Sequence, residues 1–143
     1  MDILELNKRL QKLDLEMLKE KAVRAESKSI IQFNTDQLRH GLTAFNTPLL
    51  PKYSKDWAVY KSSLSSYIAP VGIADLFLTG NFHKGFYLIV DNGEYFINST
   101  DEKKNDLQQK YNGIFGLNRD SQNALKPIVT AKLGELIKKE LGL

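Results

Sequence analysis

The chain has 143 residues, a formal net charge of +3 and ordinary apolar and charged fractions, enough for one domain (residues 1–143) with one buried core. It contains no cysteine, which excludes disulfides, thiolate metal sites and a cysteine nucleophile. No apolar run approaches the ~18 residues that a membrane span requires, and the opening MDILELNKRL, acidic and without an apolar stretch, is not expected to act as a secretory signal.

Residues 2–26 read as one helix. Ile3, Leu6, Leu10, Leu13 and Met17 step by three and four, and opposite charges such as Glu16 and Lys19 suit an exposed back face. The stripe is wide enough to lie on a sheet or on a partner. Ser27-Lys28-Ser29 then breaks the pattern, and residues 29–33 (SIIQF) read as a short strand. Asn34 stands three residues before Gln37 and opens a short helix to about His40, with Gly41 as its stop. After an irregular loop with two prolines, Ser54 caps a helix to about Ser66. Thr79-Gly80 marks a tight bend before the longest strand.

The central stretch runs from Asp75 to Thr100. Asn92-Gly93 sits between two runs rich in aromatic and β-branched residues and predicts a two-residue hairpin with a type I′ turn. In that register Val90 faces Tyr95, Ile89 faces Phe96 and Leu88 faces Ile97. Leu88, Val90, Tyr95 and Ile97 share one face, while Tyr87, Ile89 and Phe96 share the other. Both faces are apolar, so each needs a cover. A helix over 102–111 follows, then the apolar plug Ile114-Phe115-Gly116-Leu117 and a helix over 119–141 that passes Pro127 in phase. The fold class is α+β: a small antiparallel sheet with a central β-hairpin, packed by long N- and C-terminal amphipathic helices. Residues 1–26 form an N-terminal helix beside a body over 29–141. One apolar face of the hairpin is expected under those two helices, and Tyr87, Ile89 and Phe96 are assigned to association.

Little in the chain looks like chemistry. Neither His40 nor His83 has a second ligand at metal spacing, and both read as capping or solvent-facing groups. Asp75, Asp91 and Asp101 read as turn and cap residues. Trp57, Tyr53 and Tyr60 read as core aromatics more readily than as base-stacking groups. The cations interleave with acids along the chain, so duplex DNA is expected to bind weakly and without sequence preference. No catalytic residue, cofactor or metal site is expected, and no membrane partner. The candidate interface residues are Leu6, Leu10, Leu13, Tyr87, Ile89 and Phe96, and the candidate turn residues are Thr79, Gly80, Asn92 and Gly93.

Several short motifs follow one another along the chain. Gln37-Leu38-x-x-Gly41 precedes Tyr53-Ser54 and Tyr60-Lys61. Asp75-Leu76-x-x-Thr79-Gly80-x-Phe82 comes next, followed by Ser99-Thr100-Asp101-x-Lys103, Leu107, Tyr111 and the Ile114–Leu117 plug ahead of the last helix. This order, over roughly residues 30–141, resembles small virion proteins of tailed bacteriophages. It is similar to the tail-completion or head–tail joining class of Bacteroides-infecting and crAss-like phages. Asn112-Gly113 departs from the Tyr-Gly of that pattern, and the loop 42–52 lacks its glycine-rich turn. The resemblance implies a structural, non-enzymatic component of the phage neck or head–tail connector, assembled in the host bacterial cytoplasm and located in the virion. Its partners would be further copies of itself, in a ring of six or twelve, neighbouring neck, portal-adaptor or tail proteins, and double-stranded DNA passing through the channel. Ring closure that needs a neighbouring ring would leave the isolated chain monomeric. The alternative reading is a small soluble nucleic-acid-binding or regulatory module, which a steep loss of DNA affinity with salt would favour.

Overall fold

Asp14 divides the N-terminal helix in two in the computed structural model of the chain, which describes residues 1–143. Helix α1 (Ile3–Gln11) is capped by Asp2, whose carboxylate accepts the Glu5 amide at 2.8 Å. Helix α2 (Leu15–Ala25) is capped by Asp14, which takes the extended backbone of an N-cap and accepts the Met17 amide at 3.1 Å. The expected single helix over 2–26 is therefore corrected. The leucine spacing continues in phase through the break, so periodicity alone conceals it, while the Asp14 carboxylate offers the backbone another hydrogen-bond partner.

Helix α3 (Ser27–Arg39) follows at once, and the strand expected over 29–33 lies inside it. A five-residue apolar run does not separate strand from helix. Ile30, Asn34, Gln37 and Leu38 all turn inward at helical spacing and are buried. Asn34 is accordingly an interior residue of α3 and not its cap. Helix α4 (Lys55–Ser62) starts at Ser54 as expected and stops before Ser66. The Ser62 and Ser63 hydroxyls bond back to the Ala58 and Tyr60 carbonyls, the local competition that weakens serine-rich helix ends.

Gly80 supplies the expected bend at φ +85°, but a helical turn follows it, α5 (Asn81–Lys84), so His83 sits on helix and not at the start of a strand. Strands β1 (Phe86–Asp91) and β2 (Glu94–Ser99) form a two-stranded antiparallel sheet whose register pairs Asp91 with Glu94, Val90 with Tyr95, Ile89 with Phe96 and Leu88 with Ile97. Asn92 and Gly93 both take positive φ, 49° and 78°, as the type I′ turn requires. Helix α6 (Lys104–Lys110) begins two residues later than expected, because the Asp101 carboxylate first closes a turn onto the Lys103 amide at 2.8 Å. Helix α7 (Arg119–Leu141) is continuous through Pro127, capped by Asn118 and ended by Gly142 at φ +75°.

Ile97 is buried and Leu88, Val90 and Tyr95 are half-buried, so this face of the hairpin points into the molecule. Its cover is α2 and α3. The N-terminal part of the expected cover is α2 alone, since α1 packs against α7, while α7 packs chiefly on α2 and α3 and meets the inner face at Tyr95, which shares a crevice with Leu125 and Val129. The core runs from Ile30 and Leu38 through Phe82, Phe86 and Ile97 to Ile114, Leu117 and Leu125. No helix is long and apolar enough to cross a membrane.

Candidate functional site

The outer face of the hairpin carries Tyr87, Ile89 and Phe96, exposed by 37, 42 and 52 %. Strand alternation places all three on one side, and Ile89 and Phe96 are direct cross-strand partners. At the edge of the same side Lys104, at the start of α6, donates to Asn98, the cross-strand partner of Tyr87, at 3.1 Å. On α1, Leu10 is exposed and Leu6 is half-buried, while Ile3 and Leu4 project into solvent; Leu13, in the break between α1 and α2, is half-buried. The α1 helix buries none of its residues. The six candidate interface residues therefore fall on two separate patches, one on the sheet and one on the N-terminal helix. Of the turn residues, Asn92 and Gly93 form the hairpin tip, and the Thr79 hydroxyl accepts the Asn81 amide beside Gly80.

Trp57 and Tyr60, read from the sequence as core, are exposed neighbours on α4 with ring centres 5.1 Å apart. Tyr53 does turn inward, to a polar knot that the sequence did not disclose. Lys61 Nζ lies 2.9 Å from Asp75 Oδ1, with both side chains cut off from solvent. The Tyr53 hydroxyl donates to the same oxygen at 2.7 Å and accepts the main-chain amides of Asp75 and Leu76 at 3.1 and 3.2 Å. The Phe77 amide donates to Asp75 Oδ1 at 3.2 Å, and the Lys61 ammonium also donates to the Phe77 carbonyl. Burial, reinforced by the Asp75 carboxylate, raises the Tyr53 pKa and keeps this phenol protonated. His83, buried among Phe77, Phe82 and Phe86, has Nε2 3.2 Å from the Asp75 carbonyl. Burial lowers its pKa, so it is neutral at pH 7 and donates through Nε2.

Asp75 is thus the hub of a sealed network. Its carboxylate is not among the groups that wall the adjacent crevice, where Tyr53, Lys61, Phe77 and Thr79 are. A general base has to reach a proton on its substrate. This carboxylate instead reaches Lys61, Tyr53 and the Phe77 amide, which fixes the backbone that leads into Gly80 and the hairpin. Asp75 does work as a turn residue through Phe77, as expected, but the ion pair with Lys61 joins two helix and loop segments that sequence spacing does not connect. His83 departs from the solvent-facing or capping role expected for it.

A second network holds the plug. Asn34 donates to the Ile114 carbonyl at 3.0 Å and accepts the Gly116 amide at 2.9 Å. Gln37 donates to the Gly116 carbonyl and accepts the Asn118 amide, at 2.9 and 2.8 Å. Two side chains on α3 thereby serve four main-chain groups of the segment that leads into α7. No group of three or more histidine or acidic side chains is placed to hold a metal ion. Comparison with protein-family models, curated proteins and solved structures finds no match.

Proposed function

We propose that this chain is a non-catalytic structural component of a tailed-phage virion. It repeats as a homo-oligomeric ring of six or twelve copies in the neck or head–tail connector, around the DNA channel. The observation that carries the reading is the exposed apolar face of Tyr87, Ile89 and Phe96 on the hairpin. The accessible surface supports it. It measures 9286 Å², against roughly 7,500 Å² expected of a folded monomer of this mass. The chain therefore exposes more surface than a compact monomer of its mass. The α1 stripe gives a second, different apolar patch, as a head-to-tail contact between identical subunits requires. The virion location rests on the ordered motifs between Gln37 and Leu117. Quantitative mass spectrometry of purified particles tests this reading. Six or twelve copies per particle is the expected result, and absence from the particle overturns it.

A further inference from the structure

Lys28, Arg39 and Lys84 interleave with acids in the sequence, yet the fold brings them to one place. They wall an open groove of about 700 Å³ between α3 and the segment Phe77–Lys84, together with Thr35, Thr79 and His83. No aspartate or glutamate is among the groove residues. Asp36, the one carboxylate of α3, is held by the Gln32 side-chain amide at 2.8 Å. Arg39 is fixed in advance. Its guanidinium stacks 4.6 Å above the Phe77 ring, and Nη2 donates to the Ser66 carbonyl at 3.0 Å, while Nη1 has no protein partner. An arginine held flat with spare donors, in a groove shared with two exposed ammonium groups, suits a phosphate. His83 is neutral here because burial lowers its pKa, so the charge of the groove comes from the three cations.

We propose that this groove binds the phosphate backbone of duplex nucleic acid, independently of sequence. An open trough admits a continuous backbone, whereas a small anion is usually enclosed. Single strands are held by free aromatic platforms. The Phe77 ring is already covered by Arg39 and flanked edge-on by His83. None of the groove residues belongs to the outer hairpin face or to α1, so this proposal does not depend on ring assembly.

The test is fluorescence anisotropy of the full chain with a labelled mixed-sequence duplex, from low to physiological salt. Wild type should bind with Kd of about 10⁻⁴–10⁻⁶ M at physiological salt. Lys28→Glu/Lys84→Glu should weaken binding at least about tenfold and reduce the salt slope by about 0.9 per lysine. Both side chains are exposed, so the fold should persist, as the melting midpoint will report. If the reversal lowers that midpoint, Lys28→Gln/Lys84→Gln carries the same test. Lys138→Glu/Lys139→Glu, an equal charge change on the last turn of α7, should leave binding within a factor of about two. Inorganic phosphate should displace the duplex no more than chloride of equal ionic strength. The proposal is overturned if the groove variant binds like wild type or if the α7 variant loses as much. It is equally overturned by saturable displacement at micromolar phosphate, by tighter binding of single strands, or by nanomolar sequence-selective binding.

Discussion

Lys61 and Asp75 form an ion pair 2.9 Å long from which water is excluded on both sides. Desolvating two charges costs about as much as their attraction returns, but removing one leaves the other buried and unpaired, at about 3–5 kcal/mol. Lys61→Met is expected to destabilise the chain by that amount in urea unfolding. The double variant Lys61→Met/Asp75→Asn should fall short of the sum of the single variants by at least about 1 kcal/mol, because the two changes share one interaction. Strict additivity would mean that the pair is not coupled.

His83 gives the fold a dependence on acid. Its pKa is lowered in the folded state from the ordinary 6.5, chiefly by burial, with Arg39 adding to the effect and Asp75 opposing it. The unfolded chain therefore binds more protons at mildly acidic pH, and stability must decline as pH falls below 6.5 towards the folded pKa. His83→Gln keeps a donor for the Asp75 carbonyl and removes the titration. Melting midpoints between about pH 7 and 5 should fall more steeply for wild type than for this variant. Equal slopes would show that His83 charges freely in the folded protein.

Two glycines separate backbone strain from collision. Gly93 has φ +78° with open space where a Cβ would stand, so Gly93→Val should cost about 1–3 kcal/mol through conformation alone. Gly41 has a similar φ, +79°, but a Cβ there would run into the Ile73 γ-methyl. Gly41→Ala is expected to be more destabilising than Gly93→Ala in denaturant melts. The reverse order would mean that Ile73 yields easily.

Asn34 is the side chain on which the plug depends. Asn34→Ala leaves the Ile114 carbonyl and the Gly116 amide without their partner, at about 1–3 kcal/mol for each group that stays buried. Hydrogen exchange should show the Gly116 amide opening faster relative to global unfolding. Unchanged protection would indicate that another group takes over.

What the sequence made legible was local. The hairpin and its register follow from two residues with positive φ and a period of two, and α7 follows from a long apolar repeat. What stayed hidden depended on partners far along the chain. Residues 29–33 are helical because Asn34 and Gln37 face a plug about eighty residues away. The knot joins Tyr53, Lys61, Asp75 and His83 from four segments, and the groove joins Lys28 and Arg39 of α3 to Lys84 of α5. Spacing in the sequence carries no trace of the knot or of the approach of Lys84 to α3. The break before Asp14 was in principle readable, since an Asp three residues ahead of Met17 is an N-cap signal.

Ile89 and Phe96 are paired across the hairpin and exposed on its outer face. Ile89→Asp should leave stability within about 0.5 kcal/mol, as for other exposed positions, while Ile97→Asp, at a buried position on the inner face, should unfold the chain. Ile89→Asp should nonetheless keep the protein out of particles, because assembly would bury an unpaired charge. If both variants fail to fold, the outer face belongs to the core and association lies elsewhere.

The most direct measurement is an electron cryo-microscopy reconstruction of the assembled particle. This chain is expected to repeat around a symmetry axis, with Tyr87, Ile89 and Phe96 buried against a neighbouring subunit. A single, non-repeating copy, or a repeated copy whose outer hairpin face stays open to solvent, would contradict it.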